Sequence, residues 1–159
     1  ATSHRGFGIN QAGPRDVITG EPLGGNAVLV NSEELRMPPL VLPFIGDNMS
    51  LVLFHDMGNV FKSVPTMLHS LVRFDQPDRD LCTKETTSSK CRFDYLSNAV
   101  GVGVRYRTPV GPVRLDFGYN LNPPTYPVFN VDSKTSVATF QGAQTLKHFN
   151  VFFSIGQTF

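Results

Sequence analysis

The chain has 159 residues, of which 40% are apolar and 17% are charged, and its formal net charge is +1. This length suits one domain with a sizeable core, and the scattered, nearly balanced charge argues against a nucleic-acid partner. The 14 glycines and 12 prolines, with 13 phenylalanines and no tryptophan, favour a turn-rich β protein over a helical one. No apolar run reaches the roughly 18 residues of a membrane-spanning helix.

Five segments are predicted to form strands: residues 24–37, 50–61, 99–109, 113–121 and 148–159. The clearest are "AVGVGVRYRTP" and "VRLDFGYNL", in which apolar residues alternate with glycines, asparagine and charged residues. A period of two is typical of strands with one apolar and one polar face. A tight turn near Val110 and Gly111 would join this pair as an antiparallel hairpin. The alternation leaves two registers open, which place Arg105 opposite either Asp116 or Arg114.

The last segment, "HFNVFFSIGQTF", shows the same alternation. Its apolar face carries Phe149, Val151, Phe153, Ile155 and Phe159, and Gly156 on the other face suits a weakened or kinked strand edge. Taken alone, this segment fits the packed face of a soluble sheet equally well.

Two features favour a transmembrane barrel over a soluble sheet. The strands have about 9 to 11 residues, the length of a tilted strand that crosses a bilayer. Their connections also alternate, since residues 38–49 and 108–112 are short, whereas residues 62–98 and 122–144 are long and polar. Short inner turns and long outer loops are typical of outer-membrane barrels. We therefore predict an all-β, antiparallel transmembrane β-barrel. Its terminal strand would lie in the membrane, with Phe159 at the headgroup boundary that aromatic rings favour.

The two cysteines, Cys82 and Cys91, lie in the polar stretch "LCTKETTSSKCRF", which has no histidine at the spacing of a zinc site. A loop disulfide is the better interpretation, with free thiols as the alternative. A disulfide would place this loop in an oxidising compartment.

Five motifs point to a particular protein family when their order along the chain is considered. They are "HRGFG", "GGNAVLVNSEEL", "FHDMGNVF", "VGVRYRTPVGPVRLDFGYNL" and "FFSIGQTF". Together they resemble the C-terminal part of the barrel in the outer-membrane protein assembly factor superfamily, the family of BamA and TamA. The resemblance extends over almost the whole chain.

The resemblance implies an outer-membrane barrel of about sixteen strands, preceded by periplasmic domains. Residues 1–23 would form a loop inserted into the lumen. Residues 24–159 would supply about the last five strands, with two long outer loops near 62–98 and 122–144. Because five strands cannot close a barrel, we expect the chain to be a fragment or to complete its sheet with partners.

The resemblance also implies a site in the lumen. Arg5, with Gly6 and Phe7, would lie at the tip of the inserted loop and pair with Glu34 and Asp56 on the inner wall. A guanidinium in a partly desolvated lumen needs such bidentate acceptors. The alternation places both carboxylates on the polar face. It leaves Glu33 on the apolar face, which is unfavourable in hydrocarbon unless Glu33 lies near the membrane interface or a bulge shifts the register. A solvated loop arginine is the alternative interpretation.

The chain departs from the family at His4, where Val or Ile usually precedes the Arg-Gly-Phe triplet. Catalysis is not expected, because the Gly-x-Ser-x-Gly motif is absent and the four histidines are dispersed. We likewise expect no cofactor and no metal.

The function implied by the resemblance is the insertion of outer-membrane β-barrel proteins. Strands of the incoming protein would add at a lateral seam beside the terminal strand. The expected partners are unfolded outer-membrane protein clients, outer-membrane lipid and periplasmic or lipoprotein assembly partners, and nucleic acid is not among them. The alternatives are a two-partner-secretion type pore that translocates a single protein and a passive barrel.

Overall fold

The computed structural model describes residues 4–42, 46–109 and 111–156. Its strands are β1 (Ala27–Arg36), β2 (Leu40–Leu42), β3 (Gly46–Phe61), β4 (Ser97–Thr108), β5 (Gly111–Asn120), β6 (Thr125–Val131), β7 (Ala138–Thr145) and β8 (Phe149–Ile155). One α-helix, α1 (Val64–His69), and two 3₁₀ helices (Arg79–Cys82 and Glu85–Lys90) lie between β3 and β4. The fold is therefore all-β, as predicted.

The main sheet has the strand order β1-β3-β4-β5-β8, and the short β2 pairs with β3. Every pairing in it is antiparallel. β1 and β8 form its two edges, so within the described residues the sheet is open. An open antiparallel sheet of five long strands is the architecture expected of part of a barrel wall.

The connections contain more regular structure than the sequence predicted. β3 begins at Gly46, so the supposed turn at residues 38–49 holds both β2 and the start of β3. Residues 122–144 include most of the hairpin β6–β7, which was not predicted. Pro127 and a register shift between Val128 and Phe129 interrupt that hairpin, and such a shift removes the period of two.

The register of the β4–β5 hairpin places Arg105 opposite Arg114. Thr108 pairs with Gly111, and the Thr108 hydroxyl donates to the Gly111 carbonyl at 2.6 Å. Gly111 has φ of +125°, a conformation that side chains disfavour and that suits a tight hairpin. Val110 itself, like Phe159, lies outside the described residues.

The main sheet has two unlike faces. Its inner face carries polar and buried side chains, among them Asp56 and Asp116, which are 0% and 4% exposed. Its outer face is apolar and open, with Val102 at 48% and Phe153 at 63% exposed. Exposed apolar surface of this extent marks contact with lipid or protein.

Glu33 faces outward with its apolar neighbours. The register between β1 and β3 is continuous from Ala27 to Arg36, so no bulge turns this side chain inward. Glu33 is opposite His55, and Asn31 donates to its carboxylate at 3.3 Å. The outer face is therefore polar at this point.

Candidate functional site

Arg5 lies buried against the inner face of the main sheet and is 4% exposed. Its backbone N–H donates to Asp56 Oδ2 at 2.8 Å, and its Nε and Nη2 donate to the two oxygens of the same carboxylate at 2.7 Å each. Its Nη1 donates to Glu34 Oε1 at 2.8 Å. The structure thus brings together the three residues that the resemblance grouped, Arg5 from the loop, Glu34 from β1 and Asp56 from β3.

Two neighbours that the sequence did not single out complete the binding of this guanidinium. Ser32 Oγ accepts from Arg5 Nη2 at 3.0 Å and donates to Asp56 Oδ1 at 2.6 Å. Phe54 lies with its ring centroid 3.5 Å from Arg5 Cζ, a cation–π contact. Charge pairing, hydrogen bonds and stacking therefore all hold Arg5 in one orientation.

The ion pairs extend onto β4 and β5. Asp116 Oδ2 lies 3.6 Å from Arg5 Nη1, and Asp116 also pairs closely with Arg105. Arg105 Nη2 lies 3.5 Å from Glu34 Oε1, and Arg114 Nη2 lies 3.7 Å from Asp116. Alternating charges on four strands and the loop therefore form one network, which offsets the repulsion between the opposed Arg105 and Arg114.

Glycines make room for the loop on the inner face. A Cβ at Gly118 of β5 would lie 2.2 Å from the Arg5 carbonyl oxygen, and one at Gly6 would lie 2.6 Å from Ala99 Cβ. A Cβ at Gly101 would lie 2.3 Å from Cζ of Phe54, the ring that stacks on Arg5. Because no side chain fits in these gaps, the glycines let the loop backbone reach the sheet.

His4 is buried beside Arg5, and its ring has a defined role in the loop. Nε2 lies 3.1 Å from the Ser97 carbonyl, and the Gly6 N–H lies 3.1 Å from Nδ1. A carbonyl only accepts and an N–H only donates, so Nε2 carries the proton and the ring is neutral. Burial lowers the pKa of His4, in agreement with this neutral form. The ring also packs 5.0 Å from that of Phe7, so His4 fits the loop where the family usually has Val or Ile.

The Gly6 carbonyl ties the loop to the terminal strand. It accepts hydrogen bonds from the side-chain amides of Asn120, at the end of β5, and of Asn150, in β8, at 2.9 and 3.0 Å. The Arg5 loop therefore contacts each long strand of the sheet, including the strand at its edge.

Arg5 serves as a permanent charge in this arrangement. Burial alone would lower its pKa, but the hydrogen bonds to Asp56 and Glu34 outweigh burial and raise the pKa above the ordinary arginine value. A group that stays protonated at every physiological pH cannot transfer protons. The arrangement is suited to holding a loop in place.

The predicted terminal-strand residues lie on β8 as the alternation indicated. Phe149, Val151, Phe153 and Ile155 point to the outer face and are each at least half exposed. Gly156 directly follows the strand with φ of +75°. The prediction for Phe159 falls outside the described residues.

The structure joins Cys82 and Cys91 by a disulfide in the connection between β3 and β4. Both cysteines pack with Phe93 in a small buried cluster. The Gln76 side chain donates to the Thr125 carbonyl at 2.8 Å and accepts from the Thr125 N–H at 2.7 Å. The disulfide-bonded connection and the β6–β7 hairpin therefore pack together as one unit.

The sequence contained a signal for some of the residues that were missed. Phe54 and Asp116 share the polar face with Asp56 by simple alternation and could have been included. Asn120 and Asn150 also lie on that face, but their shared acceptor depends on the path of the loop. None of the helices in the described part of the chain is long and apolar enough to cross a membrane.

An antiparallel sheet with an exposed apolar face, and with a loop bound to its polar face, is the architecture expected of the wall of a membrane β-barrel. The family model described as the Omp85 superfamily domain matches residues 1–159, and the chain belongs to this superfamily. Omp85 proteins are outer-membrane β-barrels that generally act in the insertion or translocation of proteins and are generally not enzymes. No curated protein matches the chain significantly.

Proposed function

We propose that this chain forms the C-terminal wall of a barrel that inserts outer-membrane β-barrel proteins. The clients are unfolded outer-membrane proteins, which the barrel receives from periplasmic or lipoprotein partners and releases into outer-membrane lipid. The proposal rests on membership of the Omp85 superfamily together with one observation, the link between the Arg5 loop and β8.

That link supports a latch. While Arg5 is bound to Asp56 and Glu34, the Gly6 carbonyl is held where Asn150 of β8 donates to it. Departure of the loop removes this hydrogen bond and the Asn120 hydrogen bond together. The position of the loop and the position of the edge strand are therefore coupled, and the loop can report or control the state of the edge.

β8 has the properties of a strand that accepts new partners. Among the described residues it pairs on one edge only, with β5. An unpaired edge binds an extended segment by strand addition. In the proposed mechanism an incoming client strand pairs with this free edge.

The test is site-specific photo-crosslinking in the full-length protein in proteoliposomes. A photoreactive residue replaces Phe153 in β8, and the matched control replaces Val104 in the central strand β4, which lies on the same outer face in line with it. During insertion of a urea-unfolded client barrel, Phe153 should give adducts with the client and Val104 should give none.

Two other outcomes would support a different function for the barrel. Adducts with a secreted protein at inner-face positions such as Arg114, without adducts at the outer-face Phe153, would support a translocation pore. A barrel that neither forms client adducts nor accelerates client folding would be passive, and the insertase proposal would then be rejected.

A further inference from the structure

A group of apolar side chains is exposed in the connection that follows β3, at and just after α1. We call residues 62–74 the loop segment and its exposed apolar side chains the loop patch. The members of the patch, with their exposed fractions, are Val64 (53%), Leu68 (57%), Leu71 (42%), Val72 (81%) and Phe74 (53%). Several large apolar side chains exposed within eleven residues mark a contact surface.

The loop segment lies on the outer face of the sheet. Met67 of α1 packs on the cluster of Ala27, Phe61 and Leu96, together with Leu29 and Met57. Ala27 and Phe61 are paired across β1 and β3. Their side chains lie on the same face of the sheet as those of the exposed Leu35 and Leu53. One side of α1 therefore covers the outer face where β3 ends, and the exposed Leu68 does not share that contact.

The loop patch is continuous with the apolar outer face. The Leu96 N–H donates to the Arg73 carbonyl at 2.7 Å, which holds the segment beside the start of β4. The Asn122 side chain donates to the Phe74 carbonyl, which brings Phe74 close to the end of β5. Leu121 and Tyr119, at that end of β5, are themselves about half exposed. The patch thus extends the lipid-facing surface past the ends of the strands.

The charge of the loop segment suits a membrane surface. Residues 62–74 contain Lys62, His69 and Arg73 and no aspartate or glutamate. Lys62 and His69 are exposed, while Arg73 pairs with Asp94. Exposed apolar side chains beside an exposed lysine suit a segment that lies in the membrane interface, where lipid phosphates meet the ammonium group.

We propose that the loop segment is an interfacial anchor. α1 lies in the plane of the outer leaflet, the loop patch is buried among its acyl chains, and Lys62 faces the lipid phosphates. The anchor fixes the height of β3 and β4 in the bilayer and holds the disulfide-bonded connection above the lumen. The proposal depends on the membrane location of the sheet and is independent of the insertase activity.

The test is fluorescence quenching in the full-length protein in proteoliposomes, with the native disulfide intact. An environment-sensitive dye is attached at Leu68→Cys or Val72→Cys. Val102→Cys, on the lipid-facing side of β4, is the lipid reference, and Ser133→Cys, in the polar turn between β6 and β7, is the water reference. Lipids with a spin label near the headgroup quench dyes in the interface, and iodide quenches dyes in water. A heat-modifiability assay selects variants that are folded.

The anchor predicts blue-shifted emission at positions 68 and 72, strong quenching by the spin-labelled lipid and weak quenching by iodide. Iodide quenching equal to that at Ser133 would overturn it, because the patch would then face water. Protection from both quenchers would also overturn it, since a protein and not lipid would cover the patch. Neither outcome bears on client insertion, so the interfacial anchor can be rejected while the proposed insertase function stands, and the reverse.

Discussion

Replacing Arg5 with alanine should release the loop from the sheet while the strands stay folded. Of the hydrogen bonds that Asp56 accepts from described residues, three come from Arg5 and one comes from Ser32. The Asp56 side chain is 0% exposed, so the variant leaves a buried carboxylate that keeps only the Ser32 hydroxyl and the Arg5 backbone N–H. Glu34 is less affected, because Arg105 and Arg36 remain close to it.

Breaking a buried ion pair by removing one partner costs about 3 to 5 kcal/mol. This range corresponds to an increase of roughly two to four powers of ten in the equilibrium constant for loop opening. Arg5→Lys should recover little of the loss, because an ammonium group cannot donate to both carboxylates in the plane of the guanidinium.

The measurement is amide hydrogen exchange at residues 4–8 in the folded full-length protein, read beside exchange in β3 and β4. The matched control is Arg36→Ala, which removes an arginine from the same Glu34 carboxylate. The Arg36 side chain is 78% exposed, so its removal should lower the free energy of loop opening by at most about 1 kcal/mol. The argument from burial would be refuted if the loop of Arg5→Ala kept wild-type protection. It would also be refuted if Arg36→Ala lost as much protection as Arg5→Ala.

Three further predictions concern the same loop and the connection above it. Gly118→Ala should expose residues 4–8 to exchange as Arg5→Ala does, because its Cβ would lie 2.2 Å from the Arg5 carbonyl oxygen and the backbone must move. Protection of the loop from exchange should be complete above about pH 6.5 and should fall as the pH drops through the lowered pKa of His4. The reason is that the open loop takes up a proton on His4 freely, whereas the closed loop does not. His4→Val should abolish this pH dependence. Thiol reagents should not label Cys82 or Cys91 before reduction, and Cys91→Ser should destabilise the connection by about 2 to 3 kcal/mol.

The period of two in the sequence predicts the main sheet well, because most of its strands carry apolar side chains on the outer face and polar or small residues on the inner face. Val100, Val102 and Val104 alternate with Gly101 and Gly103, so both faces of β4 can be assigned without a structure. The β6–β7 hairpin shows this contrast only in part. Half-buried and exposed positions alternate in β7 from Ala138 to Ala143, but the register shift between Val128 and Phe129 breaks the period in β6.

The residues around Arg5 follow partly from alternation and partly from the path of the loop. Alternation places Phe54, Asp56 and Asp116 on one face, but it gives no distance from a loop that is about 50 residues or more away in sequence. The contact of Gly6 with Asn150 spans 144 residues and requires both the strand order and the room left by glycines. That Arg5 acts as a latch remains a prediction, which the exchange experiment tests.

The register of the β4–β5 hairpin shows why pairwise charge arguments from sequence are incomplete. Opposite charges favour Arg105 facing Asp116, yet the structure pairs Arg105 with Arg114 and lets Arg105 reach Asp116 diagonally. Diagonal neighbours on one face are within reach of a long side chain. The tight turn at Gly111 sets the register, and Glu34 from β1 lies within 4 Å of both arginines, which offsets their repulsion. Since two strands, β3 and β4, lie between Glu34 on β1 and β5, its contribution is absent from any comparison of the two hairpin strands alone, and the favourable register depends on the sheet as a whole.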